Sequence, residues 1–82
     1  MEKLKVVIYG VGEIGSRLVK ALTAAGWADI VGAVDIAEHK VGRDLGEVCG
    51  VGELGVRISN KPEEVLKEGK PDVVLHMTSS FI

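Results

Sequence analysis

Four short runs of apolar residues divide this chain, and glycine, proline or charged residues bound each of them. The runs span residues 4–9, 30–34, 56–58 and 73–77. Nearly continuous apolar segments of this length, rich in β-branched residues, are typical of strands buried on both faces of a parallel sheet. We therefore predict one strand in each run.

A 3.6-residue period between the first two runs predicts a long amphipathic helix that ends at Gly26. Its predicted buried face consists of five apolar residues: Ile14, Leu18, Ala21, Leu22 and Ala25. A shorter helical turn is predicted at 43–49. A third helix is predicted from Pro62 to Lys67, with Ser59 or Asn60 as its N-cap and Gly69 as its stop.

The alternation of strands and helices indicates the α/β class. Residues 4–35 have the length of one βαβ unit, whose crossover is expected to be right-handed. We predict a partial doubly wound, Rossmann-like sheet of four parallel strands in the order 3-2-1-4, within a single domain over residues 1–82. This order puts a topological switch point, where ligands of such sheets bind, between the first and fourth strands.

A glycine-rich turn joins the first predicted strand to the long helix. Its sequence, Gly10-Val11-Gly12-Glu13-Ile14-Gly15, has the form G-x-G-x-x-G, and Asp35 ends the next strand twenty residues later. Gly10 permits a tight turn, Gly12 lets the backbone approach a pyrophosphate, and Gly15 lets the helix pack closely. The helix amides favour the phosphate charge, and Asp35 would accept hydrogen bonds from ribose hydroxyls. The alternative is a glycine turn in an α/β fold that binds no nucleotide.

The same pattern recurs at Gly50-Val51-Gly52-Glu53-Leu54-Gly55. Here it follows a predicted loop and precedes a strand. Because a pyrophosphate site needs the strand-turn-helix context, we predict that the Gly50–Gly55 segment is a loop that does not bind pyrophosphate.

The composition argues against nucleic-acid binding, disulfide bonding and membrane insertion. A net charge of −2 and three aromatic residues do not suit nucleic-acid binding. The single cysteine, Cys49, excludes an internal disulfide and a multi-cysteine metal site, and we expect it to be an unreactive apolar residue. The first apolar run is too short for a signal peptide or a membrane span. We therefore expect a cytoplasmic location and no membrane or nucleic-acid partner.

The identity of the cofactor depends on Asp35 and its neighbours. An acidic residue at this position favours NAD, because its charge repels the 2′-phosphate of NADP. Three basic or titratable residues follow, namely His39, Lys40 and Arg43. They would either offset Asp35 and admit NADP or belong to a solvated loop. We predict NAD as the cofactor, with NADP as the alternative.

Beyond these motifs, the chain resembles the N-terminal domain of the dihydrodipicolinate reductase family over residues 6–80. Three stretches carry the resemblance: 10–15, 42–56 and 71–80. Where these reductases have an aspartate and an aromatic residue near the end of strand 4, this chain has His76 and Met77. With the Thr78-Ser79-Ser80 run, this looks more similar to the 2,4-diaminopentanoate dehydrogenase branch.

The resemblance implies NAD(P)-dependent hydride transfer at a carbon–nitrogen centre in the full-length family, which is homo-oligomeric. The residues that it places at the cofactor are Gly10, Gly12, Glu13, Ile14, Gly15, Asp35, Thr78 and Ser79. The family's catalytic groups belong to a C-terminal domain, so we predict no catalytic residue and no metal site within residues 1–82. We expect cofactor binding without turnover. The alternative is a non-catalytic minimal or designed Rossmann-like domain. The apolar ending at Phe81-Ile82, which looks like a truncation point, favours this alternative.

The sequence leaves two interpretations open for His76 and two for the Thr78-Ser79 pair. His76 would contact substrate or nicotinamide, or would be an ordinary histidine of the core or sheet edge. Thr78 and Ser79 would contact the cofactor or form a plain loop.

Overall fold

The computed structural model describes residues 3–77, which form one parallel sheet with helices on both faces. Its elements are β1 (Leu4–Tyr9), α1 (Glu13–Ala25), β2 (Ala28–Val34), α2 (Leu45–Cys49), β3 (Ile58–Ser59), α3 (Pro62–Gly69) and β4 (Val73–His76). The strand order is β3-β2-β1-β4, and every neighbouring pair is parallel. The predicted fold class and strand order are therefore confirmed.

β1 is central because it pairs with β2 on one side and β4 on the other. Its residues Val6, Val7 and Ile8 are fully buried, as expected for a strand covered on both faces. The register with β2 shifts between Val6 and Val7, where an extra residue, Val31, enters β2 as a bulge. After the bulge, Tyr9 pairs with Val34, so both strands end at the same edge of the sheet.

α1 and α2 cover one face of the sheet and α3 covers the other. The main core lies under α1 and α2, where Val19, Leu22, Leu45 and Cys49 join inward residues of the strands. On the opposite face, Gly32 leaves room for α3: an added Cβ would lie 2.4 Å from Val65 Cγ1. Cys49 is buried in this core, in agreement with its expected apolar role.

The predicted buried face of α1 is confirmed at Leu22 and, in part, at Leu18, which packs against the core, and is wrong at the other three positions. The structure buries Gly15, Val19 and Leu22 and leaves Ile14, Ala21 and Ala25 exposed. Gly15 is buried because α1 begins against the turn at Gly10. Because Gly15 faces the turn at Gly10, the neighbouring Ile14 faces solvent, with 61% of its surface accessible.

The ends of the helices agree with the sequence at α1 and differ at α3. α1 ends at Gly26 in the left-handed conformation, as predicted. The N-cap of α3 is Lys61, and not Ser59 or Asn60, because Pro62 occupies the first helical position and fixes the cap at the preceding residue. The Ser59 hydroxyl instead accepts a hydrogen bond from the Lys61 amide at 3.0 Å.

Within residues 3–77, no helix is long and apolar enough to cross a membrane. The same part of the chain contains no cluster of three or more His, Cys, Asp or Glu residues that could hold a metal ion.

Candidate functional site

A cleft of about 370 Å³ opens at the carboxyl ends of the central strands. Its lining comes from the ends of β1 and β2 and the residues that follow β1, β2 and β4: Tyr9, Gly10, Val11, Gly12, Val34, Asp35, Ile36 and Met77. Since β1 lies between β2 and β4, the cleft lies beside the topological switch point, the usual ligand site of open α/β sheets.

The first glycine turn forms the floor of this cleft. Gly10 has φ of 106°, a conformation that side chains with a Cβ rarely adopt, and its amide donates to the Val34 carbonyl at 2.8 Å. Gly15 lies directly beneath, where an added Cβ would be only 2.3 Å from the Gly10 carbonyl oxygen. Gly12 is different, because an added Cβ there would meet no atom within 4 Å. Its backbone is thus open to approach from the cleft.

The start of α1 presents free donors beside the turn. Gly12 is the N-cap and supplies no side-chain acceptor for the helix amides. Among residues 3–77, the amides of Gly12, Glu13 and Ile14 have no hydrogen-bond acceptor. Free amides at the positive end of a helix dipole favour an anion such as phosphate. The turn and helix can therefore hold an anionic group at the mouth of the cleft.

Asp35 is fixed at the end of β2 by hydrogen bonds to both of its carboxylate oxygens. Oδ2 accepts from the Val11 amide at 2.7 Å, and Oδ1 accepts from the Ala37 amide at 2.9 Å. Partial burial raises the pKa of Asp35, but the bonds from Ala37 and Val11, with the nearby charge of Lys40, outweigh it and hold the pKa below 3.8. The carboxylate is ionised at neutral pH and keeps a free lone pair on each oxygen.

Of the three basic or titratable residues that follow Asp35, Lys40 belongs to this site. Its Nζ donates a hydrogen bond to the Val11 carbonyl, and its charge acts on Asp35. His39 and Arg43 are exposed. No sequence pattern indicates this contact, because the lysine follows Val11 by 29 residues and the path of the intervening loop decides where it lies.

Glu13 and Ile14, the remaining predicted site residues that the structure describes, are both exposed. The Glu13 side chain pairs with Arg17 at 2.9 Å, and because both side chains are exposed this ion pair contributes little to stability. Ile14 is exposed beside the turn. Thr78 and Ser79 lie outside the residues that the structure describes.

Sequence analysis missed two side chains near the cleft. Tyr9 stacks on His76, with ring centroids 4.6 Å apart and planes 20° from parallel. His76 is exposed at the carboxyl end of β4, so it belongs to the sheet edge and not to the core. Ile36 lines the cleft with 85% of its surface accessible, and its position directly after Asp35 was the available signal.

The second glycine segment has a different arrangement. Gly50 ends α2 in the left-handed conformation, and the Gly50–Gly55 loop then returns towards β3. The Asp44 carboxylate accepts four backbone hydrogen bonds of 2.8–3.2 Å, from Glu47, Leu54, Gly55 and Val56. The segment precedes β3 and not a helix, and two of its amides, those of Leu54 and Gly55, already donate to Asp44. These contacts support the prediction that it does not bind pyrophosphate.

Acid is expected to destabilise the fold through Asp35 and Asp44. The hydrogen bond from the Leu54 amide, joined by the other three, outweighs partial desolvation and lowers the pKa of Asp44 below 3.8. A pKa lowered by folding stabilises the folded state above 3.8, and this contribution disappears as pH falls through the folded-state pKa. Urea unfolding of the wild type should show reduced stability at pH 3 relative to pH 5. Asp35→Asn and Asp44→Asn should each reduce that difference, and an unchanged difference in both variants would contradict the assignment.

The family model that this chain matches and the named proteins to which it is similar indicate the same family. Residues 4–81 match the family model described as dihydrodipicolinate reductase, N-terminus. The chain is 37% identical over 81 residues to a 4-hydroxy-tetrahydrodipicolinate reductase of Methanococcus maripaludis, covering 94% of this chain. It is 39% identical over 79 residues to the reductase of the same name from Methanocaldococcus jannaschii, covering 92% of this chain. The chain spans about 30% of the length of these relatives.

A solved structure also resembles this fold. The amine dehydrogenase from Mycobacterium smegmatis superimposes with a TM-score of 0.82 at 40% sequence identity. The match covers 87% of this chain and 21% of that one.

Proposed function

The chain belongs to the dihydrodipicolinate reductase family, as its N-terminal domain, and we propose that residues 1–82 form a single dinucleotide-binding unit whose cleft holds the cofactor. The observation that carries this proposal is that the amides of Gly12, Glu13 and Ile14, directly after a strand and at the start of a helix, have no hydrogen-bond acceptor in the described part of the chain. A family of nicotinamide-dependent reductases supports a nicotinamide dinucleotide as the ligand.

The proposed binding mode assigns each part of the cofactor to described residues. The pyrophosphate lies against the turn at Gly10 and Gly12, while Gly15 lets the helix amides come close. The adenosine ribose donates its hydroxyl hydrogens to the free lone pairs of Asp35. The exposed side chain of Ile36 offers an apolar surface to the adenine. Thr78 and Ser79 follow β4 and complete the proposed cofactor site.

We propose NAD as the preferred cofactor, with NADP accepted more weakly. The ionised Asp35 carboxylate repels a 2′-phosphate and favours the paired hydroxyls of NAD. Lys40 reduces this repulsion, because its ammonium group lies in the same site. The site therefore has a charge arrangement that favours NAD without excluding NADP.

For the full-length protein we propose hydride transfer at a carbon–nitrogen centre. The names of the similar proteins, a tetrahydrodipicolinate reductase and an amine dehydrogenase, support this class of reaction. The described residues form a cradle for the cofactor, and transfer also needs a substrate held against the nicotinamide. We therefore expect residues 1–82 alone to bind cofactor without turnover. His76, stacked on Tyr9 at the same edge of the sheet, is placed for contact with nicotinamide or substrate.

We also propose a cytoplasmic location, a homo-oligomeric full-length protein and no nucleic-acid partner. One buried cysteine is consistent with a reducing compartment. A net charge of −2 lacks the basic surface that nucleic acids require.

Isothermal titration of the 82-residue chain with NADH and NADPH tests the proposed function. Both should bind, NADH more tightly, with amide chemical shifts changing at residues 10–15. The absence of both heat and chemical-shift changes at millimolar cofactor would overturn the proposal.

Asp35→Asn is expected to shift cofactor preference towards NADP. The amide oxygen still accepts a hydrogen bond from Val11 or Ala37, while the negative charge that repels a 2′-phosphate is lost. Removing a nearby charge at a partly exposed site changes the NAD/NADP affinity ratio by roughly fivefold to tenfold. Titrations with both cofactors measure this ratio. Glu64→Gln, which removes an exposed carboxylate paired with Lys61 away from the cleft, is the matched control and should leave the ratio unchanged.

A further inference from the structure

Val11 is contacted on both sides by groups from the segment after β2. Its amide donates to Asp35 Oδ2, and its carbonyl accepts from Lys40 Nζ. Both contacts are partly buried. The centre of the glycine turn is therefore held between a carboxylate and an ammonium group.

The contact from Lys40 has a consequence for the next residue. The Val11 carbonyl and the Gly12 N–H belong to one peptide group, and that N–H has no acceptor among residues 3–77. A cation that donates to a peptide oxygen polarises the whole group, so its N–H becomes a stronger donor. This cooperative effect is greatest where water is partly excluded, as it is beside Val11.

We propose that Lys40 strengthens phosphate binding indirectly, by polarising the Val11–Gly12 peptide so that the Gly12 N–H donates more strongly to the pyrophosphate. This rests on the proposed function, because it requires a dinucleotide at the glycine turn. Lys40 is then a positioning residue that acts through the backbone, and its contribution extends to every ligand that places a phosphate at Gly12.

The geometry favours this role over that of a direct anchor for the 2′-phosphate of NADP. The Lys40 ammonium group is already engaged with the Val11 carbonyl, at the turn where the pyrophosphate is proposed to bind. A direct anchor would favour NADP alone. A polarising contact serves NAD, NADP and ADP alike, because all three carry the pyrophosphate.

The test is Lys40→Met, titrated with NAD, NADP and ADP. Loss of one charged hydrogen bond acting through a peptide should weaken NAD and ADP by a similar factor, about threefold to tenfold. NADP should lose at least as much, because the Lys40 charge also offsets the repulsion between Asp35 and the 2′-phosphate. In the free protein, the Gly12 amide resonance should shift upfield in ¹H, as expected for a less polarised donor. Lys40→Arg retains the charge and the donor, so it should restore most of the affinity and of the shift. Lys20→Met removes an exposed lysine of α1 and is the matched control, with wild-type affinity expected.

The outcomes separate this inference from the proposed function. If the wild type binds no dinucleotide, the proposed function fails and the inference falls with it. If the wild type binds, two results overturn the inference alone: unchanged affinities in Lys40→Met, or a loss confined to NADP. A loss of affinity for NAD and ADP without a Gly12 shift would show that Lys40 acts by some route other than polarisation of the peptide, and this would also overturn the inference.

Discussion

Gly12→Val is expected to abolish dinucleotide binding and leave the fold intact. The Gly12 backbone is extended, with φ of −94° and ψ of −158°, and an added Cβ meets no atom within 4 Å. Valine therefore fits the folded chain, but its side chain occupies the space through which the pyrophosphate approaches the turn. We expect at least about a hundredfold loss of affinity, or about 2.7 kcal/mol, by titration with NADH. The melting temperature should change by no more than about 3 °C.

Gly52→Val is the matched control, since Gly52 holds the equivalent place in the second glycine segment. For this variant we expect a loss of folding stability and no loss of affinity. Gly52 has φ of 88°, so a β-branched residue strains the backbone and should cost about 1–2 kcal/mol of folding stability. Affinity for NADH should stay at the wild-type value, because the Gly50–Gly55 loop is not proposed to touch the cofactor. Equal losses of affinity in the two variants would contradict the distinction between the two motifs.

Gly46→Ala is expected to cause the largest loss of stability among single-methyl substitutions in the described chain. An added Cβ would lie 1.8 Å from the Gly52 carbonyl oxygen and 2.9 Å from the Leu54 amide nitrogen, both backbone atoms. Relief of this overlap requires the Gly50–Gly55 loop to move away from α2, which breaks the bonds that its amides make to Asp44. We expect a loss above about 3 kcal/mol in urea unfolding, against a total of about 4–12 kcal/mol for a domain of this length.

Gly12→Ala provides the comparison, because it adds the same methyl group where nothing lies within 4 Å. Its free energy of unfolding should stay within about 0.5 kcal/mol of the wild type. A Gly46→Ala variant as stable as Gly12→Ala would show that the loop has a second, equally favourable packing.

The strands β1 and β2 and the first glycine turn were predictable because their signals are local. Apolar runs bounded by glycine or charged residues identify strands β1 and β2, and the twenty-residue spacing to Asp35 associates the turn with the end of the next strand. The face of α1 was not predictable in the same way. Apolar periodicity selects Ile14, whereas the structure buries Gly15, and a glycine adds nothing to a hydrophobic pattern. Its burial follows from backbone contact with Gly10.

The part of the site that sequence analysis did not predict depends on contacts between distant residues. Lys40 reaches Val11 because the loop after β2 returns towards the glycine turn, and the order of residues does not specify that path. The stacking of Tyr9 on His76 depends likewise on the register that pairs β1 with β4. In both cases the residue types were visible in the sequence, and only the fold shows which of them meet.

At the second glycine segment, the Asp44 carboxylate of the same chain binds the backbone amides that an anionic ligand would otherwise bind. A carboxylate tethered within a dozen residues of its amide donors has an effective concentration in the millimolar range or above. A free phosphate in solution would have to displace it and leave its charge without those four bonds. The two glycine segments therefore differ in the hydrogen bonding of their amides more than in composition. Within residues 3–77, the amides of Gly12, Glu13 and Ile14 have no acceptor, whereas those of Leu54 and Gly55 donate to Asp44.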